Sequence, residues 1–313
     1  MLINGGENMV VSVIIPTFKR TKDLNRCLDG ISKQTMLPDE VLIVVRNTDQ
    51  ETLHFLKYYQ TKLTIKPSIV EKPGQVAALN KGLQSSVGEI ICILDDDTIP
   101  HVHWLEKIVE NFNASEKIGG VGGRDWVHHG DKREEGQKEV VGRVQWFGRV
   151  IGNHHLGYGS ARDVDVLKGA NMSYRREAIN GLTFDERLLG NGAQVHNDMA
   201  FSLNVKKKGW RLVYDPEVAV NHYPAQRFDL DERGTFNEIA FYHSVYNETL
   251  ILMEFIKSPT IKFIYILWCL LVGTSEKPGL IQVLRLLRKN ENITKKFKIN
   301  FTTRFRMKQI IKI

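Results

Sequence analysis

The stretch Glu89–Pro100, EIICILDDDTIP, decides how the chain is read. The apolar run from Ile90 to Leu94 has the length of a buried strand rather than of a helix. It ends in three adjacent carboxylates, Asp95, Asp96 and Asp97. Adjacent like charges repel, so something cationic or aqueous must compensate them. Working outward, the same kind of apolar run recurs in VVSVIIPTF (Val10–Phe18) and EVLIVV (Glu40–Val45). Between these runs the apolar spacing is helical. TKDLNRCLDGISKQT places Leu24, Leu28 and Ile31 on one face, with Thr21 as the expected N-cap. DQETLHFLKYYQ, GQVAALNKGLQSS and VHWLEKIVENF read as further helices. Continuous apolar strands alternating with helices imply an α/β fold, a mostly parallel sheet with helices on both faces. Ligands of such sheets bind at the carboxyl ends of the strands, which is where the three Asp residues stand.

Downstream, IGGVGG (Ile118–Gly123) reads as a short strand. Residues 127–165 are polar and weakly periodic, and are expected to form long loops lining a site. VDVLKGANMSYRREAI is a strand, a turn and a helix start, and NDMAFSLNVKKKGW is a helix closed by lysines and Gly209. RLVYDPEVAVNHYP reads as two short strands, and from about Phe236 the pattern is helical to the end.

Composition sets outer limits. The chain has 313 residues, 42% hydrophobic and 25% charged, in the range of globular proteins. Its three cysteines form no metal-type pair and no even-numbered disulfide set, so a reducing compartment is expected. The N-terminus lacks a basic region followed by an apolar core, so no leader peptide is expected. The net charge is +7, but 11 Lys and Arg against one Glu lie from Lys277 onward, a balance of +10. The rest of the chain is slightly acidic.

The DDD run by itself has two readings. It is a solvated turn with one Asp capping the next helix, or it holds Mg2+ or Mn2+ together with substrate phosphates. The order and spacing of VSVIIPTF, GQVAALNKGL, GEIICILDDDTIP, KGANMSYRREAI and FDERLLGNGAQVHNDMAFSLNVKKKGWRLVYDPEVAVNHY widen the comparison. Together, over about residues 10–225, they resemble family 2 glycosyltransferases of the GT-A fold. The resemblance implies a sugar transfer from a nucleotide diphosphate sugar to an acceptor hydroxyl, with inversion.

Carried over residue by residue, the resemblance makes Asp95 and Asp97 the outer positions of a DxD motif, with Asp96 between them. Asp95 and Asp96 are expected at the nucleotide-sugar and Asp97 at the metal, Mn2+ or Mg2+. Asp198, at a helix start, is expected to be the general base; a helix N-terminus favours its ionised form. Asn197 stands where the family usually has Glu. His222 completes the metal site in this reading; its alternative is a structural histidine. Pro16, Thr17 and Phe18 match the opening donor segment, and Gln75 and Asn80 a later one. The family's acidic pair after the second strand is replaced by Arg46 and Asn47, with Asn47 expected to bond the base through its amide. Gly169 permits close approach of the donor sugar, and Asn171 is expected to bond a hydroxyl.

The expected division is a GT-A catalytic domain over 1–235, with a nucleotide-sugar half at about 10–125 and an acceptor half at about 126–235. A helical C-terminal extension follows over 236–313. Its apolar run FIYILWCLLVG is too short to span a bilayer. The extension either packs on the catalytic domain or lies on an anionic membrane surface. The second reading places a cytoplasmic protein at the inner face of the membrane, near a glycan or lipid-linked saccharide acceptor. No nucleic-acid motif accompanies the basic tail. Two rivals remain: a nucleotidyltransferase, which needs a Gly-rich phosphate loop that IIPTFKRTKDL lacks, and a degenerate, non-catalytic sugar-nucleotide-binding protein.

Overall fold

Strand β1, Val11–Thr17, is buried along nearly its whole length and sits inside a parallel layer. The computed structural model describes residues 9–228, 235–289 and 291–310. Residues 1–8, on which the leader reading rested, lie outside them, as do residues just before the expected boundary at 235. Helix α1 (Thr21–Ser32) turns Leu24, Cys27, Leu28 and Ile31 inward. Thr21 does not cap it: Arg20 holds the cap position, and the Thr21 hydroxyl donates to Glu51 at 2.8 Å. Then follow β2 (Glu40–Arg46), α2 (Gln50–Tyr58), β3 (Ile65–Val70), α3 (Gln75–Ser85) and β4 (Ile90–Leu94). All five side chains of β4 are buried, each contributing about 1.5–3 kcal/mol by leaving water.

β3–β2–β1–β4 is a parallel series, so the strand order reverses between β1 and β4. After β4 come the short β5 (Thr98–Pro100), α4 (Trp104–Ala114) and β6 (Ile118–His129). The region expected to be loop carries four short strands: β7 (Lys132–Arg133), β8 (Arg143–Val144), β9 (Val150–Ile151) and β10 (Arg162–Val164). β11 (Asn171–Arg175) is antiparallel to both β4 and β6, and α5 (Arg176–Ile179) follows it. α6 (Asn197–Lys207) leads to β12 (Arg211–His222), which runs parallel to β6. The sheet of ten strands is thus mostly parallel on the β1–β4 side and mixed beyond it, an α/β arrangement as expected.

The segment expected as two strands is the single strand β12, interrupted by a register shift between Asp215 and Val220. Gly123 of β6 faces that irregularity. A Cβ there would lie 1.8 Å from the Val218 carbonyl, so no side chain fits.

The chain divides into two compact units. The first comprises residues to Arg143, Ile151–Phe184 and Phe201–Ala225, and holds the large sheet. The second comprises Val144–Val150, Asp185–Ala200 and the residues from Gln226. It therefore takes in two segments from the middle of the sequence besides the C-terminal helices. Those helices are α7 (Glu238–Phe255), α8 (Pro259–Leu271), α9 (Leu280–Leu286) and α10 (Ile293–Ile310). Asn237 caps α7 by accepting from Ile239 and Ala240, and Ser258 caps α8 with Pro259 in its first turn. No helix among the described residues is long and apolar enough to cross a membrane.

Candidate active site

The three carboxylates leave the end of β4 at the point where the strand order reverses, the usual ligand crevice of an open α/β sheet. They are not equivalent. Asp95 is partly exposed; its carbonyl accepts from Thr98 Oγ1 at 2.7 Å, and its Oδ1 accepts from Gln75 Nε2 at 3.4 Å. Asp96 is buried, 2% exposed, and turned inward. Thr17 Oγ1 donates to its Oδ2 at 2.7 Å, and Arg20 Nη1 donates to its Oδ1 at 2.8 Å. Burial raises the Asp96 carboxyl, Arg20 pulls it back in part, and Asp97 raises it again, to about 7. Burial also works against the Arg20 guanidinium, but Asp96 outweighs it and Arg20 stays charged. Asp96 therefore serves as the internal partner of Arg20 and Thr17.

Asp97 is buried, and its Oδ2 accepts from the Ala225 amide at 2.9 Å. Pairing of β5 with β12 sets Thr98 opposite His222, which brings the histidine beside Asp97. His222 Nε2 stands 3.4 Å from Asp97 Oδ1, beyond a well-formed hydrogen bond. His222 Nδ1 lies 3.3 Å from Asp125 Oδ2, and Lys168 Nζ also donates to that oxygen. Burial disfavours the His222 cation, but Asp125 and Asp97 outweigh burial and raise it to about 9. Burial likewise pushes Asp125 up, and Lys168 and His222 more than reverse that push, to about 2.

Among the described residues no group of three or more His, Cys, Asp or Glu side chains forms a metal cage. Asp97 and His222 nevertheless fit a hard divalent cation. One carboxylate and one imidazole face each other, and Asp125 orients the imidazole through its other nitrogen, the usual support of a metal-binding histidine. Mg2+-type ions take one or two protein groups and complete their shell with water and substrate phosphates.

Two expected donor contacts are spent inside the protein. Asn80 donates to the Phe184 carbonyl at 3.0 Å and accepts from the Phe184 amide at 2.7 Å. Asn171, 1% exposed, donates to the Val218 carbonyl at 2.8 Å and accepts from Trp104 Nε1 at 2.9 Å. Both asparagines hold the sheet and its covering segments together; Asn171 is buried and Asn80 partly exposed. Thr17 donates its hydroxyl proton to Asp96. Pro16, Phe18, Gln75 and Gly169 are partly exposed, and Asn47 is exposed. The Phe18 ring is flanked by the Lys19 ammonium at 5.3 Å and the Arg46 guanidinium at 5.5 Å from its centroid. Asp198 belongs to the second unit. It is partly exposed in the first turn of α6 and accepts from the Met199 amide at 2.8 Å.

Three residues of the site take no role from the motifs. Arg20, Asp125 and Lys168 enter through strand pairing and side-chain reach, and Asp125 stands 97 positions from the histidine it orients. The signal available was a charged residue inside an otherwise apolar and glycine-rich strand, in GGVGGRDWV.

The family model described as glycosyltransferase like family 2 matches residues 8–238. The chain belongs to that family. The Haloferax volcanii glycosyltransferase AglE is 31% identical over 116 residues, 35% of this chain and 38% of the relative. A Methanococcus voltae dolichyl N-acetyl-alpha-D-glucosaminyl phosphate 3-beta-D-2,3-diacetamido-2,3-dideoxy-beta-D-glucuronosyltransferase is 23% identical over 233 residues. That match takes in 68% of this chain and 66% of the relative. The chain thus spans between 38% and 66% of the length of these two curated relatives. Among solved structures, the mannosyltransferase PcManGT from Pyrobaculum calidifontis, in complex with GDP-Man and Mn2+, superposes with a TM-score of 0.58. It is 16% identical in sequence, and the match covers 97% of this chain and 88% of that one. That likeness is one of fold, and the fold of this family 2 member is the expected GT-A type.

Proposed function

We propose that the protein is an inverting, metal-dependent glycosyltransferase. It moves a sugar from a nucleotide diphosphate sugar to a hydroxyl of a glycan or lipid-linked acceptor. The observation that carries this reading is the Asp97–His222 pair at the β4 crevice, with His222 steered by Asp125. The PcManGT complex holds GDP-Man and Mn2+ on a similar fold, and the Methanococcus voltae relative is named for a dolichyl-phosphate-linked sugar acceptor. Both support the class of donor and of acceptor.

Asp97 and His222 are the residues that would hold Mn2+ or Mg2+, which when bound would supply Lewis-acid neutralisation of the leaving diphosphate. Asp95 and Gln75 border the donor crevice, with Pro16, Phe18, Asn47 and Gly169 as further donor-side residues. Asp198 takes the proton of the attacking hydroxyl, while the nucleoside diphosphate leaves from the opposite face of the anomeric carbon. In this reading the domain that carries the donor-side chemistry is the sheet-bearing part of the chain, and the C-terminal helices form an extension.

That extension also supports a seat on an anionic membrane at the cytoplasmic face. Phe263, Leu267 and Leu271 recur every four residues on α8 and are 50%, 43% and 45% exposed. Leu284 is 73% exposed and lies within the basic tail. Exposed apolar residues with adjacent Lys and Arg are the pattern of an interfacial anchor.

The test incubates the protein with Mn2+ and a panel of UDP-, GDP- and dTDP-sugars and measures what is released. Nucleoside diphosphate release that needs the metal supports transfer; pyrophosphate release when a nucleoside triphosphate and a sugar 1-phosphate are supplied instead would identify a nucleotidyltransferase, and release in neither assay a non-catalytic binder. Asp198→Asn is expected to lose at least about 100-fold in turnover while still binding donor. Full turnover in that variant removes Asp198 from the role of base.

A further inference from the structure

Asp198 follows a segment, Asp185–His196, that has no regular structure. Gly190, Gln194 and His196 in it have φ of +129°, +42° and +74°. Left-handed backbone at two residues with side chains persists where surrounding groups over-determine it. Those groups come from the C-terminal helices and the turn between α8 and α9, all within the second unit.

The Asn247 side chain of α7 is fully buried and bridges both ends of the loop. Its Oδ1 accepts from the Leu189 amide at 2.8 Å, and its Nδ2 donates to the Leu189 and Val195 carbonyls, each at 3.0 Å. Lys277 Nζ donates to His196 Nε2 at 2.8 Å and to the Ser244 carbonyl at 3.3 Å, and pairs with Glu248 Oε1 at 3.3 Å. All three ammonium protons thus have partners. Ser244 Oγ adds a contact to His196 Nε2 at 3.2 Å. Glu248 is itself fixed by Arg304, which Thr249, Tyr265 and Asn300 surround. The Asn197 side chain then closes the loop on the Ala193 and Gln194 carbonyls at 3.0 and 3.1 Å. Asp198 is the next residue.

We infer that Asn247 and Lys277 are positioning residues for Asp198: they clamp the Leu189–Asn197 loop so that the first turn of α6 presents the carboxylate in one place. This rests on Asp198 acting as the base. The C-terminal extension then has a part in the chemistry, because misplacing a reacting group by about 1 Å costs on the order of 100-fold in rate. Burial, and then the Lys277 charge, hold His196 far below its ordinary range, at about 3, so the ring stays neutral and its Nε2 accepts from Lys277 throughout the working pH range.

The experiment uses the full chain with Asn247→Leu, Lys277→Met and Lys277→Arg. Two measurements are made. Hydrogen exchange is followed at the amides of residues 189–200 and of β1–β4. Steady-state kinetics use the donor found active in the panel. The two disruptive variants are expected to speed exchange at 189–200 at least tenfold and to leave β1–β4 unchanged. They are expected to lower kcat about 10- to 100-fold with donor KM within twofold, and Lys277→Arg is expected to recover most of the loss. Unchanged exchange at 189–200, or a kcat within twofold of wild type, overturns the inference, as does a loss confined to donor KM. Asp198→Asn made alongside separates the two ideas: if it keeps full turnover the base assignment fails, whatever the exchange measurement says about the clamp.

Discussion

Replacing Asp125 with Asn tests whether the crevice is organised from β6. The change keeps the shape of the side chain and removes one fully buried negative charge. Burial alone would raise this carboxyl, but Lys168 and His222 bring it from 3.8 to about 2. That shift, at about 1.4 kcal/mol per unit, corresponds to about 2 kcal/mol of stability at neutral pH. The folded-state value is the depressed one, so the contribution is complete above about pH 4 and is lost as pH falls through about 2. In the Asn variant it is absent at every pH. Lys168, 32% exposed, can turn to water, whereas His222, 8% exposed, stays inside beside Asp97 with its Nδ1 partner lost. Thermal unfolding in EDTA at pH 7 is expected to show a Tm lower by roughly 4–8 °C, with the two proteins converging as pH falls below about 4. The half-saturating Mn2+ for turnover is expected to rise about 10- to 100-fold, the usual cost of losing a group that orients a metal-binding histidine. An unchanged Tm at pH 7 together with an unchanged Mn2+ requirement would refute the claim that Asp125 steers His222.

Asn171→Ala is expected to cost about 1–3 kcal/mol of stability, because it strands the buried Trp104 Nε1–H and the Val218 carbonyl. Its donor KM should not move; normal melting with a raised donor KM would restore Asn171 as a donor contact. Asp97→Asn should lower turnover at least about 100-fold at any Mn2+ concentration, and wild-type activity persisting in excess EDTA would remove the metal from the mechanism. Leu284→Glu and Leu267→Glu should each weaken co-sedimentation with phosphatidylserine-containing vesicles, and binding of the wild type should fall as NaCl is raised from 0.1 to 0.5 M. Equal binding to pure phosphatidylcholine vesicles, or none to either kind, would remove the membrane seat.

What the sequence made legible depended on how locally each feature is encoded. β4 and its carboxylates are local: five apolar residues, then three charges, need no distant partner to be recognised. β3 is a strand that no pattern announced. It lies at the end of the sheet order, carries Lys66 and Pro67, and shows one buried side chain, Ser68, so its apolar signal is faint. β12 looked like two strands because Asp215 and Pro216 interrupt its apolar run. The structure absorbs them in an irregularity, where Asp215 accepts from Asn111 at 2.7 Å and from the Glu217 amide at 2.9 Å. Asn80 and Asn171 have structural partners that the sequence does not mark. A carboxamide offers the same donors and acceptor to a backbone peptide as to a sugar hydroxyl, and which one it meets is decided by residues about 104 and 47 positions away. Arg20, Asp125 and Lys168 were invisible on the same ground, since nothing near them in the sequence marks the strand that will be their neighbour.

The three adjacent carboxylates illustrate how distant residues settle a local cost. Asp96 is balanced inside the protein by Arg20. Asp97 meets His222, and His222 meets Asp125, which also holds Lys168. This assigns different work to the members of the run. Asp96 keeps the turn anchored to Arg20 and Thr17, Asp97 faces His222, and Asp95 is the one of the three that is not buried.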